Sequence, residues 1–345
     1  MNTKIFLSGT NGLPGKYGGW DNLLVFLSRQ LSRKHKVICH TSVYDGDPSI
    51  KLYEGAHIDF IGLSANGAQS ILYDFVCMFR ALKHNGICIL LGCSGGLFVP
   101  IFRLLGLRII LNPDGEEWKR GKWSFFAKLF LKLSFYLAVI FSNYVIADHP
   151  EIHKRLLFIR SKKSTFYIPY GGDNSLRVPF EKSKHILPEF IEKNSYIFSV
   201  CRIEPENNVH LCLELAKLEK YPLIFVGNWN RSQYGKELKS AYSKYPNIVL
   251  LDPIYDPELL GSLRSNAKIY FHGHTVGGTN PSLVEAMNLG LNIIAHGNVF
   301  NKFTTAESAF YFKDLMTLKK AFKLSLESPV NSSVMEKIVQ SRYTW

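Results

Sequence analysis

The segment richest in chemistry is Phe271-His272-Gly273-His274-Thr275-Val276-Gly277-Gly278-Thr279-Asn280-Pro281-Ser282-Leu283-Val284-Glu285-Ala286-Met287, where an apolar strand passes through a glycine pair straight into a helix. Asn280 fits the N-cap and Pro281 the first helical position. The amides of Gly278, Thr279 and Asn280 then lack helical acceptors and face whatever lies above the strand. Together with the helix dipole they form a cradle for a diphosphate. Glu285, one turn further in, adds a carboxylate for ribose hydroxyls. The chemistry indicated is binding of a nucleotide sugar.

A second glycine cluster follows the first apolar run: Gly9-Thr10-Asn11-Gly12-Leu13-Pro14-Gly15-Lys16-Tyr17-Gly18-Gly19-Trp20-Asp21, leading into a helix over 22–31. Gly9, Gly12, Gly15, Gly18 and Gly19 would let backbone approach a ligand closely, and Gly18-Gly19 lies before a helix N-terminus suited to a diphosphate. The other reading is a flexible turn. The spacing is not GxGxxG, and no Gly-Lys-Ser/Thr marks a P-loop.

Strands must carry these loops. Short apolar, β-branched runs at 5–8, 37–41, 58–62, 87–92, 108–112, 144–147 and 165–169 alternate with helical stretches, and the pattern restarts with 196–201, 223–227, 248–251, 268–272, 292–296 and 309–312. Strands spaced by helices predict an α/β protein of two Rossmann-like, doubly wound parallel-sheet domains. A length of 345 residues fits two domains. We expect an N-terminal domain over 1–172, a linker over 173–194, a second domain over 195–330 and a C-terminal segment over 331–345. In such sheets ligands bind at carboxyl ends of strands, here across a central cleft.

Composition is globular, 46% hydrophobic and 20% charged. The six cysteines, Cys39, Cys77, Cys88, Cys93, Cys201 and Cys212, are scattered without CxxC spacing, so reduced thiols are expected rather than disulfides or zinc ligands. The first apolar run is too short for a signal peptide, which points to a cytoplasmic setting. A net charge of +13 indicates an anionic partner: nucleic acid, a membrane surface or a phosphorylated ligand. Segment 118–141 mixes Lys119, Arg120, Lys122, Lys128 and Lys132 with Phe, Leu, Trp and Tyr. Lys128 and Lys132 argue against a bilayer span, leaving an interfacial helix on an anionic membrane or an ordinary core helix with surface lysines.

Read together, these motifs resemble the GT-B glycosyltransferases of family 4, and within them a bacterial rhamnosyltransferase-like branch of polysaccharide, O-antigen and capsule assembly. The resemblance rests on Gly9 to Asp21, on Asp114-Gly115-Glu116-Glu117-Trp118-Lys119-Arg120, Ile146-Ala147-Asp148, Ile168-Pro169-Tyr170-Gly171-Gly172-Asp173 and Arg202-x-Glu204-Pro205-Glu206-Asn207-Asn208, and on the block from His272 to Met287. It implies a retaining transferase that moves L-rhamnose from dTDP-rhamnose to a lipid-linked saccharide acceptor, peripheral on the inner membrane face. The fold would be GT-B. A donor of UDP or GDP type, and a sugar-nucleotide epimerase of the same architecture, are alternatives. A non-catalytic nucleic-acid binder finds no RNA-binding signature.

Carried over, the resemblance places Gly18, Gly19, Arg202, Asn207, Gly277, Gly278, Thr279, Asn280 and Glu285 at the donor, and Tyr17, Trp20, Glu117 and Trp118 at the acceptor. Asp114, Arg202 and Glu285 would be catalytic, with Arg202 neutralising the diphosphate unless it merely pairs with Glu204 or Glu206. Asp114 would orient the acceptor hydroxyl and take its proton, shield an oxocarbenium-like sugar, or simply shape a turn through Gly115; Glu116 and Glu117 are competing acids. Two positions depart from the family: Asn207 replaces a lysine, and Gly277 replaces the first acid of a Glu, seven residues, Glu pattern. Loss of that acid is compatible with a 6-deoxy sugar. His272 and His274 invite a metal, but no third ligand has suitable spacing and the resembling enzymes are metal-independent, so no cofactor is expected. Glu285→Ala and Arg202→Ala are each expected to abolish transfer and leave the fold intact. Relatives continue past an Arg342-Tyr343-Thr344-Trp345-like element into a helix crossing back to the first domain, so 331–345 reads as a shortened form of it.

Overall fold

The computed structural model describes residues 3–15, 19–115, 117–119 and 123–345. Contacts divide the chain into two units, Met1–Pro169 and Tyr170–Trp345. Residues 173–194, expected as a linker, therefore lie within the second unit.

In the first unit the chain forms β1 (Lys4–Ser8), α1 (Gly19–Leu31), β2 (Lys36–Ser42), β3 (Leu52–Tyr53), β4 (Ala56–Ile61), α2 (Gln69–Lys83), β5 (Ile87–Leu91), α3 (Val99–Leu104), β6 (Arg108–Asn112), α4 (Phe125–Phe141), β7 (Tyr144–Ala147), α5 (Pro150–Leu156) and β8 (Thr165–Tyr167). Its sheet runs in the order β3-β4-β2-β1-β5-β6-β7-β8. Every pairing is parallel except β3 with β4. Ile5, Phe6 and Leu7 are all buried, because helices cover both faces of a parallel sheet and the strand reads as a continuous apolar run.

The second unit contains α6 (Glu181–Lys184), β9 (Ile197–Val200), α7 (Val209–Glu219), β10 (Leu223–Val226), α8 (Gln233–Tyr242), β11 (Ile248–Leu251), α9 (Pro257–Ser265), β12 (Ile269–His272), α10 (Pro281–Asn288), β13 (Asn292–His296), α11 (Val299–Thr304), β14 (Phe310–Phe312), α12 (Leu315–Glu327) and α13 (Ser332–Arg342). Its sheet, β11-β10-β9-β12-β13-β14, is wholly parallel. Neighbouring strand residues feed opposite cores: Phe198 and Tyr270 pack with Leu283, Met287, Met335 and Val339, while Ile197 and Phe271 pack with Val209, Leu213, Leu318 and Phe322. Each expected strand has a counterpart, and the doubly wound reading of both sheets holds. The segment read as a shortened crossover instead forms α13, which packs Met335 and Val339 into the second unit's own core beside α10.

Candidate active site

Both sheets reverse strand order at one point, and a ligand crevice opens beyond the strand ends there. In the second unit the reversal lies between β9 and β12. Arg202 follows β9 and the loop 273–280 follows β12, so Arg202 and the glycine loop meet at this point of the second unit. The two loops are laced together. The Asn208 amide donates to the Gly273 carbonyl at 2.8 Å, and Thr275 donates to the Glu206 carbonyl through its amide at 3.0 Å and its hydroxyl at 2.9 Å. On the far side Asn298 and Asn301 donate to the His274 carbonyl at 2.7 and 3.0 Å. A loop held at three carbonyls is preorganised for a ligand.

Gly277 sits at φ +126°, a conformation L side chains rarely adopt, and a Cβ there would stand 3.3 Å from Asn280 Oδ1. In this loop conformation a glutamate at position 277 would be strained. Gly278 and Thr279 are buried, and Asn280 occupies the N-cap of α10 with Pro281 following. The Asn280 side chain makes no capping bond, contrary to its expected role. Arg202 is exposed, as a phosphate-gripping guanidinium needs to be. Asn207 is not placed to grip a donor: it is 3% exposed, and its amide donates to the Arg202 carbonyl at 2.8 Å, bracing the turn that carries that arginine.

Glu285 is more deeply engaged than the sequence suggested. It is 6% exposed, with Oε2 at 2.7 Å from an Arg264 guanidinium nitrogen and Oε1 accepting from the Asn174 amide at 3.1 Å. Arg264 on α9 is itself 5% exposed. Removing Glu285 would strand a buried cation, so the expectation that Glu285→Ala leaves the fold intact is corrected. Arg264 and Asn174 went unnoticed because their link to Glu285 joins residues distant in sequence.

His272 ends β12 with its ring buried against His274, centroids 4.3 Å apart and planes 11° from parallel. Burial, then the neighbouring His274 and His296, hold its imidazole well below the usual range, so the ring is neutral. Neither ring nitrogen has a hydrogen-bond partner among the described residues. No group of three or more His, Cys, Asp or Glu able to hold a metal occurs among those residues.

In the first unit the reversal lies between β1 and β5. The glycines after β1 serve the loop's own packing: a Cβ would meet the Leu91 carbonyl at 2.2 Å from Gly9, Thr41 Oγ1 at 2.2 Å from Gly12, and Asp21 at 2.2 Å from Gly15. Gly19 opens α1, three residues earlier than the expected helix start. Trp20 packs on the core beside Gly92, at the end of β5. Tyr17, Gly18 and Glu116, together with Lys16, Arg120 and Lys122, lie outside the described residues.

Asp114 follows β6 at φ +61°, with its amide donating to Asn112 Oδ1 at 3.1 Å. A non-glycine residue in the left-handed region at a strand end is unusual and clusters at functional sites. The turn-shaping role is therefore real, and it leaves Asp114 half-buried. Burial first, then the Asp114 charge, push the Cys93 thiol well up. Glu117 and Trp118, expected at the acceptor, are turned to local structure: Trp123 Nε1 donates to Glu117 Oε1 at 3.1 Å, and Trp118 lies edge-on to Phe135 of α4 at 4.6 Å. All six cysteines are free thiols.

α4 forms over the middle and end of the basic-aromatic segment. It buries Ser134, Phe135, Ala138 and Val139 but exposes Phe125, Phe126, Leu129, Leu133, Ile140 and Phe141. The outer face is thus largely apolar, with Lys132 exposed among these side chains. Among the described residues no helix is long and apolar enough to cross a membrane.

Residues 2–173 match a family model described as a domain of unknown function, DUF1972, and residues 181–307 match the model described as glycosyl transferases group 1. No curated protein matches the chain. Among solved structures the chain is similar to sucrose-phosphate synthase from Thermosynechococcus elongatus, at 15% identity and TM-score 0.82, covering 100% of this chain and 96% of that one. It is similar to Anabaena HepE in complex with UDP and glucose, at 14% identity and TM-score 0.77, covering 99% and 96%. The catalytic domain of Arabidopsis thaliana starch synthase IV bound to ADP and acarbose aligns at 15% identity and TM-score 0.73, covering 100% and 96%. With two doubly wound parallel sheets and a group 1 domain over the loops that hold Arg202 and Glu285, the chain is a glycosyltransferase of the GT-B fold.

Proposed function

We propose that this enzyme transfers a 6-deoxyhexose, L-rhamnose from dTDP-rhamnose, onto a lipid-linked saccharide in bacterial surface-polysaccharide synthesis. The observation behind the sugar choice is Gly277: no side chain there can grip a sugar hydroxyl, which leaves backbone amides at that place and is compatible with a 6-deoxy sugar. The HepE and starch synthase structures hold UDP and ADP, which supports a nucleoside diphosphate as part of the donor.

In this reading the diphosphate lies at the N-terminus of α10 against Gly277 and Gly278, with the Arg202 guanidinium over its oxygens. Glu285, fixed by Arg264 and Asn174, receives a pentose hydroxyl. As the glycosidic bond breaks, charge grows on the departing diphosphate, and Arg202 and the helix dipole stabilise it without a metal. Retention follows from front-side attack, with the departing phosphate taking the acceptor proton. Asp114 in the first unit orients the acceptor hydroxyl.

Peripheral attachment to anionic lipid completes the proposal. The first unit holds 21 Lys and Arg against 11 Asp and Glu, a net of +10, whereas the second holds 20 against 17, a net of +3. The more positive unit is thus the one that carries α4, and it also exposes Ile101, Leu104 and Leu105 on and after α3.

The test is incubation with labelled dTDP-rhamnose, with and without a lipid-linked saccharide, and NMR of the product. Transfer only in the presence of acceptor, with anomeric configuration kept, is the expected result. A new sugar nucleotide formed without acceptor would favour the epimerase reading. Turnover of a UDP- or GDP-sugar in place of dTDP-rhamnose would replace the donor.

A further inference from the structure

A polar relay reaches Glu285 from the far end of the second unit. Trp345 Nε1 donates to Asn174 Oδ1 at 2.9 Å, Asn174 Nδ2 donates to Glu285 Oε1 at 3.1 Å, and Arg264 holds Glu285 Oε2 at 2.7 Å. The direction of this relay is chemically determined. An indole N–H can only donate, so the Asn174 oxygen must face Trp345, which turns the NH2 toward the carboxylate. Without that indole only the carboxylate itself holds the amide's orientation, and the amide loses one of its two restraints.

Trp345 is itself anchored. Its amide donates to Asp173 Oδ1 at 2.9 Å, its ring meets Tyr170 at 6.3 Å, and a Cβ on Gly171 would stand 2.6 Å from the indole. The Gly172 amide donates to the carbonyl of fully buried Tyr343 at 2.8 Å. Segment 170–174 and segment 343–345 thus clamp each other, and the clamped amide is presented to Glu285.

We propose that Trp345, acting through Asn174, is a positioning residue that orients the Glu285 carboxylate to accept the 3′-hydroxyl of the donor pentose. With Arg264 on one oxygen and Asn174 on the other, rotation of the carboxylate is stopped, while each oxygen keeps a lone pair for a ligand. The proposal rests on reading Glu285 as the pentose-binding acid.

The experiment is calorimetric titration of dTDP, UDP, GDP and ADP, each alongside its 3′-deoxy form, into the wild-type protein, Trp345→Phe and Asn174→Asp. Phenylalanine keeps the ring and removes only the donor. The expected result is that Trp345→Phe weakens the preferred diphosphate about tenfold, the scale of one hydrogen bond to a charged group, and leaves its 3′-deoxy form unchanged. Asn174→Asp sets carboxylate against carboxylate and loses at least as much. In a Glu285→Gln background Trp345→Phe has no further effect. If the wild type prefers the 3′-hydroxyl but Trp345→Phe weakens both forms equally, or neither, the relay is overturned and the Glu285 reading stands. If the wild type binds none of the four, or treats both forms alike, the Glu285 reading falls and the relay with it.

Discussion

Replacing Glu285 by alanine is the sharpest probe of the second unit, because its burial against Arg264 gives the change a cost in stability beyond any effect on transfer. Arg264 and Glu285 are 5% and 6% exposed and meet at 2.7 Å. Breaking such a pair from one side costs about 3–5 kcal/mol, since the surviving charge stays buried without compensation. The Asn174 amide loses its acceptor too, adding about 1 kcal/mol. For a unit of this size the sum lowers Tm by roughly 10 °C or more. Calorimetric melting of the variant would read this directly. Glu285→Gln, which keeps shape and acceptor, should fall less, and an Arg264→Met/Glu285→Leu double variant should recover most of the loss because no charge remains to be solvated. An alanine variant melting within about 2 °C of wild type, or a double variant no better than the single, would refute the reasoning.

Gly277→Ala forces a side chain onto φ +126°, at about 1–3 kcal/mol of strain, and should weaken nucleotide-sugar binding at least about tenfold by calorimetry; unchanged affinity would show that the loop tolerates another path. Burial pushes the Asp74 carboxyl up from the ordinary carboxylate range to about 7, although the Gly95 amide donates to it at 2.7 Å. A raised acid favours the folded state when protonated, so this site loses stability as pH climbs from about 4 to about 7. Asp74→Asn should therefore raise Tm at pH 8, with a gain that shrinks below pH 7 and vanishes near pH 4; a pH-independent change would contradict the assignment. Replacing Phe125, Phe126 and Leu129 together by serine should cut co-sedimentation with anionic vesicles about tenfold and leave dTDP binding intact; equal sedimentation would remove α4 from the membrane reading.

The strands were legible because a parallel sheet buried on both faces demands continuous apolar runs, as at Ile5 to Leu7. β3 was missed: it is two residues long and turns back through Glu54 and Gly55, both at positive φ, without the Asn-Gly signature of such hairpins. The loop after β12 was readable from its glycines, proline and acid. The partners of that acid were not, since Asn174 and Trp345 reach Glu285 only through the fold. Asn207 shows the opposite failure. Its place in a motif suggested ligand contact, yet burial turned it into a brace for the Arg202 turn. Glu117 and Trp118 likewise satisfy Trp123 and Phe135 before any acceptor.

The proposed grip of Arg202 and the loop from Gly273 to Asn280 on the diphosphate of an activated hexose is read by titrating dTDP-rhamnose into wild type and Arg202→Ala. Saturable binding that weakens about tenfold or more in the variant, with Tm unchanged because Arg202 is exposed, is the predicted result. Equal affinity in both proteins, or no binding of dTDP-, UDP-, GDP- or ADP-linked sugars by the wild type, would contradict it.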